Sequence, residues 1–380
     1  MQPLPLDVVV MRGATIESRH RVHAAVVGPL DALVAGARDH GMVTMWRSCA
    51  KFFQVLPFLA CGGFDKLGWG DEELALACAS HGGEPEHLAL ARKMLESIGL
   101  EEGDLACGPH EPLSPRGVRC ARESGRAYSR LHNNCSGKHA AMLARAHSAG
   151  WPTQGYERAG HSVQRGCLAE VAKWSDVPID DMPIGVDGCG ATVMALPLDR
   201  MALAFSRWGR SVAQGEELPF RTASAVRRHP HLLAGTERFD TVLLEETAGE
   251  VIAKVGAEGV HSVAVPGVGL GIAVKVEDGA LRAQHVAVVR LLQQLGVLPA
   301  TLSARLQEWA VKTVRNTRGE IVGEVRSEGL GEERRAKGEG RRAKGRRGPL
   351  RPSLLTNPSP FTIRPSRFTR RLTPHPSPLT

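Results

Sequence analysis

The chain has 380 residues, 42% of them hydrophobic, and a formal net charge of +8. Residues 328–380 hold 13 Lys and Arg against 4 Asp and Glu, which leaves 35 basic and 36 acidic residues in 1–327. The body is therefore electrically balanced, which argues against specific nucleic-acid binding and confines any non-specific binding to the basic tail. No apolar run reaches membrane-spanning length and no signal-peptide pattern is visible, so we expect a cytoplasmic protein without a membrane partner.

Eight cysteines are spread along the chain. An even number could form disulfides, but a long chain without an export signal favours free thiols in a reducing compartment. Some of these thiols are candidates for metal binding.

Short strands alternate with helices in the predicted order. LDVVV and HAAVV predict two strands separated by a turn, and MVTMW followed by RSCAKFFQVLPFLA predicts a strand and then a helix. Helices are predicted over 71–80, 86–98 and 136–149. ATVMALPL and DRMALAFSRWG predict a strand and a helix, HSVAVPGVGLGIAVKVEDGALRA predicts a hairpin, and 282–310 predicts two late helices. Strands at both ends predict a mixed α/β body whose sheet joins distant parts of the chain.

Composition divides the chain into an α/β domain with a helical portion, 1–327, and a basic, proline-rich tail, 328–380. RRAKG occurs at 334–338 and again at 341–345, and eight prolines follow Gly348. Such a segment cannot bury a core, so we expect the tail to be disordered. Read-through into repetitive DNA explains it at least as well as nucleic-acid binding does.

Two serines and two lysines are candidates for nucleophilic catalysis. RSCAK places Ser48 and Lys51 three residues apart, on one face if a helix starts there. A neutral lysine could accept the proton of the serine, although this motif often occurs on solvated helices. ASHGGEPEH adds Ser80 at a helix end, and KVGAEG adds Lys254 at a strand end. The alternatives are a polar loop for Ser80 and an exposed strand end for Lys254.

HNNCSGKH and DGCGAT are candidates for a metal site. Cys135 and Cys189 are soft zinc ligands from separate loops, although two buried thiols are the alternative. The usual third ligand would be His132 or His139, because a lysine amine is normally protonated. A nucleophilic pair of Cys135 and His139, one helical turn apart, is a rival use of the same segment.

Six stretches in order, RSCAKFFQ, ASHGGEPEH, HNNCSGKHAAML, DGCGAT, AGTERFDT and KVGAEGV, resemble the Rhizobium-type, zinc-containing L-asparaginases. VMRGATIESRH and VRNTRGEIVGEV resemble the ends of that family, so the resemblance covers nearly all of 7–325. The tail lies outside it. The resemblance implies a fold similar to serine β-lactamases and glutaminases, with a mixed sheet flanked by helices, and a homodimer.

The family's functional residues transfer by motif. The resemblance implies two serine–lysine tandems, Ser48 with Lys51 and Ser80 with Lys254. It implies zinc ligands at Cys135, Lys138 and Cys189, where zinc would hold the lysine amine deprotonated. It also indicates four residues that contact the substrate or support the zinc ligands: Arg47, Glu84, His139 and Asp187.

The resulting hypothesis is hydrolysis of L-asparagine to L-aspartate and ammonia, through an acyl-enzyme on Ser48. Three alternatives belong to other classes of function. One is an amidohydrolase acting on glutamine or another amide. Another is a non-catalytic zinc-binding protein that kept the fold. The third is a nucleic-acid-associated protein that acts through its tail.

Overall fold

The computed structural model describes residues 2–328. Its strands are β1 Gln2–Pro3, β2 Val8–Arg12, β3 Thr15–His20, β4 Val22–Val27, β5 Leu33–Ala37, β6 Val43–Met45, β7 Ile184–Val186, β8 Thr192–Pro197, β9 Ile252–Val255, β10 Val260–Val265, β11 Leu270–Val276, β12 Val311–Arg315 and β13 Ile321–Ser327. Its α-helices are α1 Lys51–Gln54, α2 Leu56–Ala60, α3 Gly63–Lys66, α4 Asp71–Ala77, α5 Pro85–Glu96, α6 Pro115–Glu123, α7 Ser136–Ser148, α8 Ser162–Ser175, α9 Leu198–Gln214, α10 Glu217–Arg228, α11 Pro230–Leu233, α12 Phe239–Glu246, α13 Leu281–Gln294 and α14 Ala304–Ala310.

The central sheet has six strands in the order β1-β5-β4-β11-β10-β9. β1 and β5 are parallel, and every other neighbouring pair in this sheet is antiparallel. Helices α9 and α13 both pack against β11, and its residues from Gly271 onward are buried. The approach of α9 requires the glycine, because a Cβ at Gly271 would lie 2.0 Å from the carbonyl oxygen of Ala202.

Two smaller sheets join segments that are far apart in the sequence. The four-stranded sheet has the order β12-β13-β2-β3, and the antiparallel pairing of β13 with β2 aligns Val325 with Val10. The three-stranded sheet has the order β6-β8-β7. Its pairing of β6 with β8 fixes the segment that leads into Trp46 and Ser48.

A buried aromatic cluster anchors that segment. Trp46 stacks on Phe53 with ring centroids 5.0 Å apart and meets Phe205 of α9 edge-on at 6.0 Å. Its indole N–H also donates to the hydroxyl of Ser262 at 3.1 Å. All three rings are fully buried, and each contributes about 2–3 kcal/mol by leaving water. The residues after Trp46 therefore start from a fixed point in the core.

The predicted mixed α/β class is confirmed, with a sheet flanked by helices that joins both ends of the chain. The predicted strands, the hairpin β10–β11 and the late helices α13 and α14 are all present. The sequence reading missed β3, whose residues face mostly outward and so carry no apolar alternation. No helix within the described part of the chain is long and apolar enough to cross a membrane. Apart from Glu328, the predicted tail lies outside the described residues.

Candidate active site

A cavity of about 710 Å³ opens between the end of α4, the start of α7, the β7–β8 turn and the end of β9. Six predicted site residues line it: Arg47, Ser48, Ser80, Cys135, Asp187 and Cys189. The three predicted lysines are buried behind its wall, at Lys51, Lys138 and Lys254. The structure thus brings residues from distant motifs to one place.

Ser80 and Lys254 form a direct pair. Ser80 follows α4, and its backbone N–H donates to the carbonyl oxygen of Leu233 at 3.0 Å, which fixes the turn. Lys254 lies on β9, and its Nζ donates to Ser80 Oγ at 2.7 Å and to the carbonyl oxygen of Val255 at 2.9 Å. Burial, together with the charge of Lys51, lowers the pKa of Lys254 to about 7. A substantial fraction of Lys254 is therefore neutral near pH 7 and can accept a proton.

Lys51 also points at Ser80. Its Nζ donates to Ser80 Oγ at 3.2 Å, lies 3.1 Å from Cys135 Sγ and donates to the carbonyl oxygen of Ala79. No hydrogen bond joins Lys51 to the hydroxyl of Ser48 among the described residues. The physical reason is that the buried amine finds its partners on the facing segment after α4 rather than on its own helix. We call Ser80, Lys51 and Lys254 the serine–lysine cluster.

Ser48 sits in a short 3₁₀ turn, Arg47–Ala50, that precedes α1. Arg47 has a φ of 53°, a left-handed conformation that is uncommon for a side chain of this size. Such strained positions are enriched at functional sites. Ser48 is partly exposed and lines the cavity, whereas Ser80 is only 3% exposed. Of the two serines, Ser48 is the more accessible to a molecule in the cavity.

Two thiols and an amine form a second group, the thiol–lysine cluster of Cys135, Lys138 and Cys189. Cys135 is the N-cap of α7, Lys138 lies in the first turn of that helix, and Cys189 lies in the turn between β7 and β8. Lys138 Nζ lies 3.0 Å from Cys189 Sγ. The hydrogen bond from Cys135, and then the charge of Lys138, lower the pKa of Cys189 to about 5.

These three side chains fit a zinc site by their chemistry. Two soft sulfur donors and one nitrogen donor converge from two elements and are each 4–5% exposed. No set of three Cys, His, Asp or Glu residues within 2–328 is grouped to hold a metal, so a three-ligand site needs the lysine. The histidines expected as the usual third ligand lie elsewhere: His132 accepts from the backbone N–H of Ser129, and His139 bonds Tyr156.

The rival pair of Cys135 and His139 is not hydrogen-bonded in the part of the chain that the structure describes. His139 Nδ1 lies 2.6 Å from the hydroxyl of Tyr156. Burial lowers the pKa of His139 to about 3, which makes it a poor base. The hydrogen bond to Cys189 and burial raise the pKa of Cys135 to about 12. The geometry therefore disfavours a Cys135 nucleophile activated by His139.

Arg47 and Asp187 pair across the cavity wall. Arg47 Nε and Nη2 donate to the two carboxylate oxygens of Asp187 at 3.2 and 3.1 Å. Burial opposes ionisation of Asp187, but the charge of Lys138 and the hydrogen bonds from Arg47 lower its pKa overall. The pair ties the strained segment beside Ser48 to the turn that carries Cys189.

Glu84 does not line the cavity. Its buried carboxylate accepts from Arg116 at 2.7 Å and from both the backbone N–H and the hydroxyl of Thr236 at 2.8 Å. Burial opposes ionisation of Glu84, but hydrogen bonds from Ser114, Thr236 and Arg116 lower its pKa overall. Glu84 therefore shapes the 235–238 turn, and in this structure it is not placed to touch a substrate in the cavity.

The sequence analysis gave no role to several charged residues that line the cavity, among them Arg238 and Asp240. Asp240 accepts from the backbone N–H of Val255 at 2.8 Å and lies 3.1 Å from His261 Nε2. Both residues lie in AGTERFDT, which was recognised as a motif without a role for its charged members. The AGTERFDT motif was therefore the feature of the sequence from which these residues could have been identified.

A buried serine that accepts hydrogen bonds from two lysines has the residue types of a nucleophile with its base. Comparison with known families agrees: residues 8–327 match the model described as L-asparaginase II, and the chain belongs to that family.

Similar solved structures are distant. They include Mglu in its native form in 4.3 M NaCl (17% identity, TM-score 0.34, covering 78% of this chain and 66% of that one). Mglu in its glutamate form (16%, 0.33, 74% and 63%) and a Bacillus glutaminase in 4.3 M NaCl (15%, 0.30, 74% and 92%) also match. This chain spans about two thirds of the length of those Mglu chains. No curated protein matches it significantly.

Proposed function

We propose that this protein is an L-asparaginase, which hydrolyses the side-chain amide of L-asparagine to L-aspartate and ammonia. The observation that carries the proposal is the 2.7 Å contact between Lys254 Nζ and Ser80 Oγ, at a cavity that also exposes Ser48. Family membership supports amide chemistry, and both serines line the same cavity.

Ser48 is the proposed nucleophile. A nucleophile must reach the carbonyl carbon, and Ser48 is partly exposed whereas Ser80 is buried between two lysines. Ser48 Oγ forms a bond to the amide carbon and loses its proton to the serine–lysine cluster, where neutral Lys254 is the final acceptor. The same proton is then delivered to the departing nitrogen, which leaves as ammonia.

Deacylation returns the enzyme to its starting state. The cluster accepts a proton from water, the water oxygen bonds to the ester carbon, and the bond to Ser48 breaks with return of its proton. The two half-reactions together consume one water and release L-aspartate and ammonia. The Arg47–Asp187 pair is proposed to hold the segment beside Ser48 in place during both steps.

The proposed cofactor is zinc, held by Cys135, Lys138 and Cys189. When bound there it would supply a Lewis acid of modest strength, because two thiolates already donate charge to it. His139, which follows Lys138 on α7, would support the site through its hydrogen bond with the Tyr156 hydroxyl. Lys138 would have to be deprotonated to bind, so zinc uptake would release protons.

Ammonia release from L-asparagine tests the function, with L-glutamine as comparator. We expect turnover of asparagine that is lost in Ser48→Ala. Turnover of glutamine alone would favour the alternative amidohydrolase. Zinc binding without ammonia release from either amide would favour a non-catalytic zinc protein on the same fold.

The homodimer and the cytoplasmic location stay predictions that follow from the family resemblance and the sequence. Light scattering coupled to size-exclusion chromatography measures the first directly. A mass of twice the 40.8 kDa chain is the expected result, and a single-chain mass would contradict it.

A further inference from the structure

Arg238 occupies a distinctive place in the cavity wall. Its Nη1 donates to the carbonyl oxygen of Ser80 at 2.7 Å and to that of Ala234 at 3.2 Å. Both acceptors are neutral backbone groups, and Arg238 has no ion pair among the residues that the structure describes. Its Nε and Nη2 make no hydrogen bond there either. A guanidinium that faces a cavity with free donors is suited to bind an anion.

The other Arg and Lys side chains that line the cavity already have partners. Arg47 is paired through two nitrogens with Asp187. Lys312 lies over the ring of Trp309, with Nζ 4.8 Å from the ring centroid. Arg238 is thus the lining Arg or Lys, within residues 2–328, that has neither an ion pair nor a ring contact, and the carboxylates of Asp240 and Glu84 act on its charge only at longer range.

Hydrogen bonds to Glu84 fix the turn that precedes Arg238. Buried Glu84 accepts from the backbone N–H and the hydroxyl of Thr236 at 2.8 Å. Gly235 has a φ of 123°, and a Cβ there would lie 3.0 Å from a Glu84 oxygen, so the turn needs glycine. Arg238 follows as the N-cap of α12, whose free amide groups add positive potential. Its place is therefore set by the fold and does not depend on a bound ligand.

We propose that Arg238 binds the α-carboxylate of the substrate and so selects amides of amino acids over simple amides. The inference rests on the proposed asparaginase function. The carboxylate would bind to Nε and Nη2, while Nη1 of the same guanidinium keeps its hydrogen bond to the Ser80 carbonyl oxygen. Arg238 would therefore serve as the carboxylate anchor at a fixed distance from the serine–lysine cluster. Two parallel N–H donors match the two oxygens of a carboxylate in geometry and charge.

Steady-state kinetics of Arg238→Gln and Arg238→Lys test the proposal, with L-asparagine and 3-aminopropanamide as substrates. The second compound keeps the amide and the amine but lacks the carboxylate. Arg227→Gln is the matched control, because Arg227 also donates to a backbone carbonyl, that of Gly249 at 2.9 Å, and does not line the cavity.

For Arg238→Gln we expect KM for L-asparagine to rise about 10- to 100-fold with little change in kcat, since ground-state and transition-state binding are lost together. Arg238→Lys should lose less, because it keeps the charge without the paired donors. The control should behave as wild type. 3-Aminopropanamide should be unaffected by Arg227→Gln, and the Arg238 variants should lose much less on it than on L-asparagine, because only the contact to the Ser80 backbone is then lost. An unchanged KM, or equal losses on both substrates, overturns the proposal.

Calorimetric binding of L-aspartate separates this inference from the proposed function. If the wild type binds L-aspartate but hydrolyses no asparagine, the function fails, and weaker binding by Arg238→Lys still supports the anchor. If asparagine is hydrolysed and both variants bind L-aspartate as the wild type does, the anchor fails alone. If the wild type neither binds nor hydrolyses, both are wrong. Arg238→Lys carries the test should Arg238→Gln fail to fold.

Discussion

Lys254 Nζ lies 2.7 Å from Ser80 Oγ, although the two residues are 174 positions apart in the sequence. The contact exists because β9 ends beside the turn that follows α4, and both groups are nearly or fully buried there. Burial is also what makes the amine useful, because it disfavours the charged form of the lysine.

The rate should depend on pH through Lys254. Its pKa is lowered from 10.5 to about 7, so the amine is mostly neutral above that pH and mostly protonated below it. We expect kcat/KM to fall about tenfold for each pH unit below the pKa, because the protonated form accepts no proton. A pH–rate profile in buffers of constant ionic strength measures this. A flat acid limb that extends well below pH 7 contradicts the role.

Removal of the amine should be more damaging than removal of a comparable buried amine elsewhere. Lys254→Met should reduce kcat about 100- to 10,000-fold, the range typical of a lost general base. Lys275→Met is the control, since Lys275 is also buried and donates to the backbone carbonyl of Glu258 at 2.7 Å, but does not contact the serines. Equal activity in the two variants, both folded by circular dichroism, would remove Lys254 from the mechanism.

Zinc content should follow the thiol–lysine cluster. We expect the purified chain to hold one zinc and Cys189→Ser to lose most of it, because one of three protein ligands is removed. Cys61→Ser should keep its zinc, since Cys61 is an exposed free thiol. Elemental analysis by mass spectrometry reports the stoichiometry without reference to activity. A metal-free wild type prepared in the presence of zinc would refute the site.

The position of the C-terminal boundary can be tested by truncation. β13 lies between β2 and β12, and the backbone N–H of Glu328 still donates to the carbonyl oxygen of Asp7. A chain that ends at Glu328 should therefore match the full chain in Tm and turnover. A chain that ends at Gly319 should unfold, since it lacks β13. Loss of activity in the longer truncation would assign the tail a role that its composition does not predict.

The sequence predicted the strands and helices whose apolar patterns are regular, including the hairpin β10–β11. It could not predict where Lys51 points. Spacing placed Lys51 beside Ser48, but the amine turns to Ser80 and Ala79, and that choice depends on where the fold places the segment that follows α4.

The motifs predicted which residues lie close together more accurately than they predicted the role of each residue. Six of the proposed residues do line one cavity, and the three lysines lie directly behind it. Glu84 was expected to contact the substrate or to support the residues that do, because it lies in the ASHGGEPEH motif. The chain instead turns away at Gly83, which has a φ of 70°, and buries Glu84 against Thr236. Arg238 was missed because its proposed role depends on N–H donors that make no hydrogen bond within the described residues, and the sequence does not show which donors these are.

The most direct test is to quench the reaction with L-asparagine in acid within one turnover and to map the acylated residue by peptide mass spectrometry. We predict an aspartyl ester on Ser48 in the wild type, and no ester at this position in Ser48→Ala. An ester on Ser80, or turnover by Ser48→Ala at the wild-type rate, would contradict it.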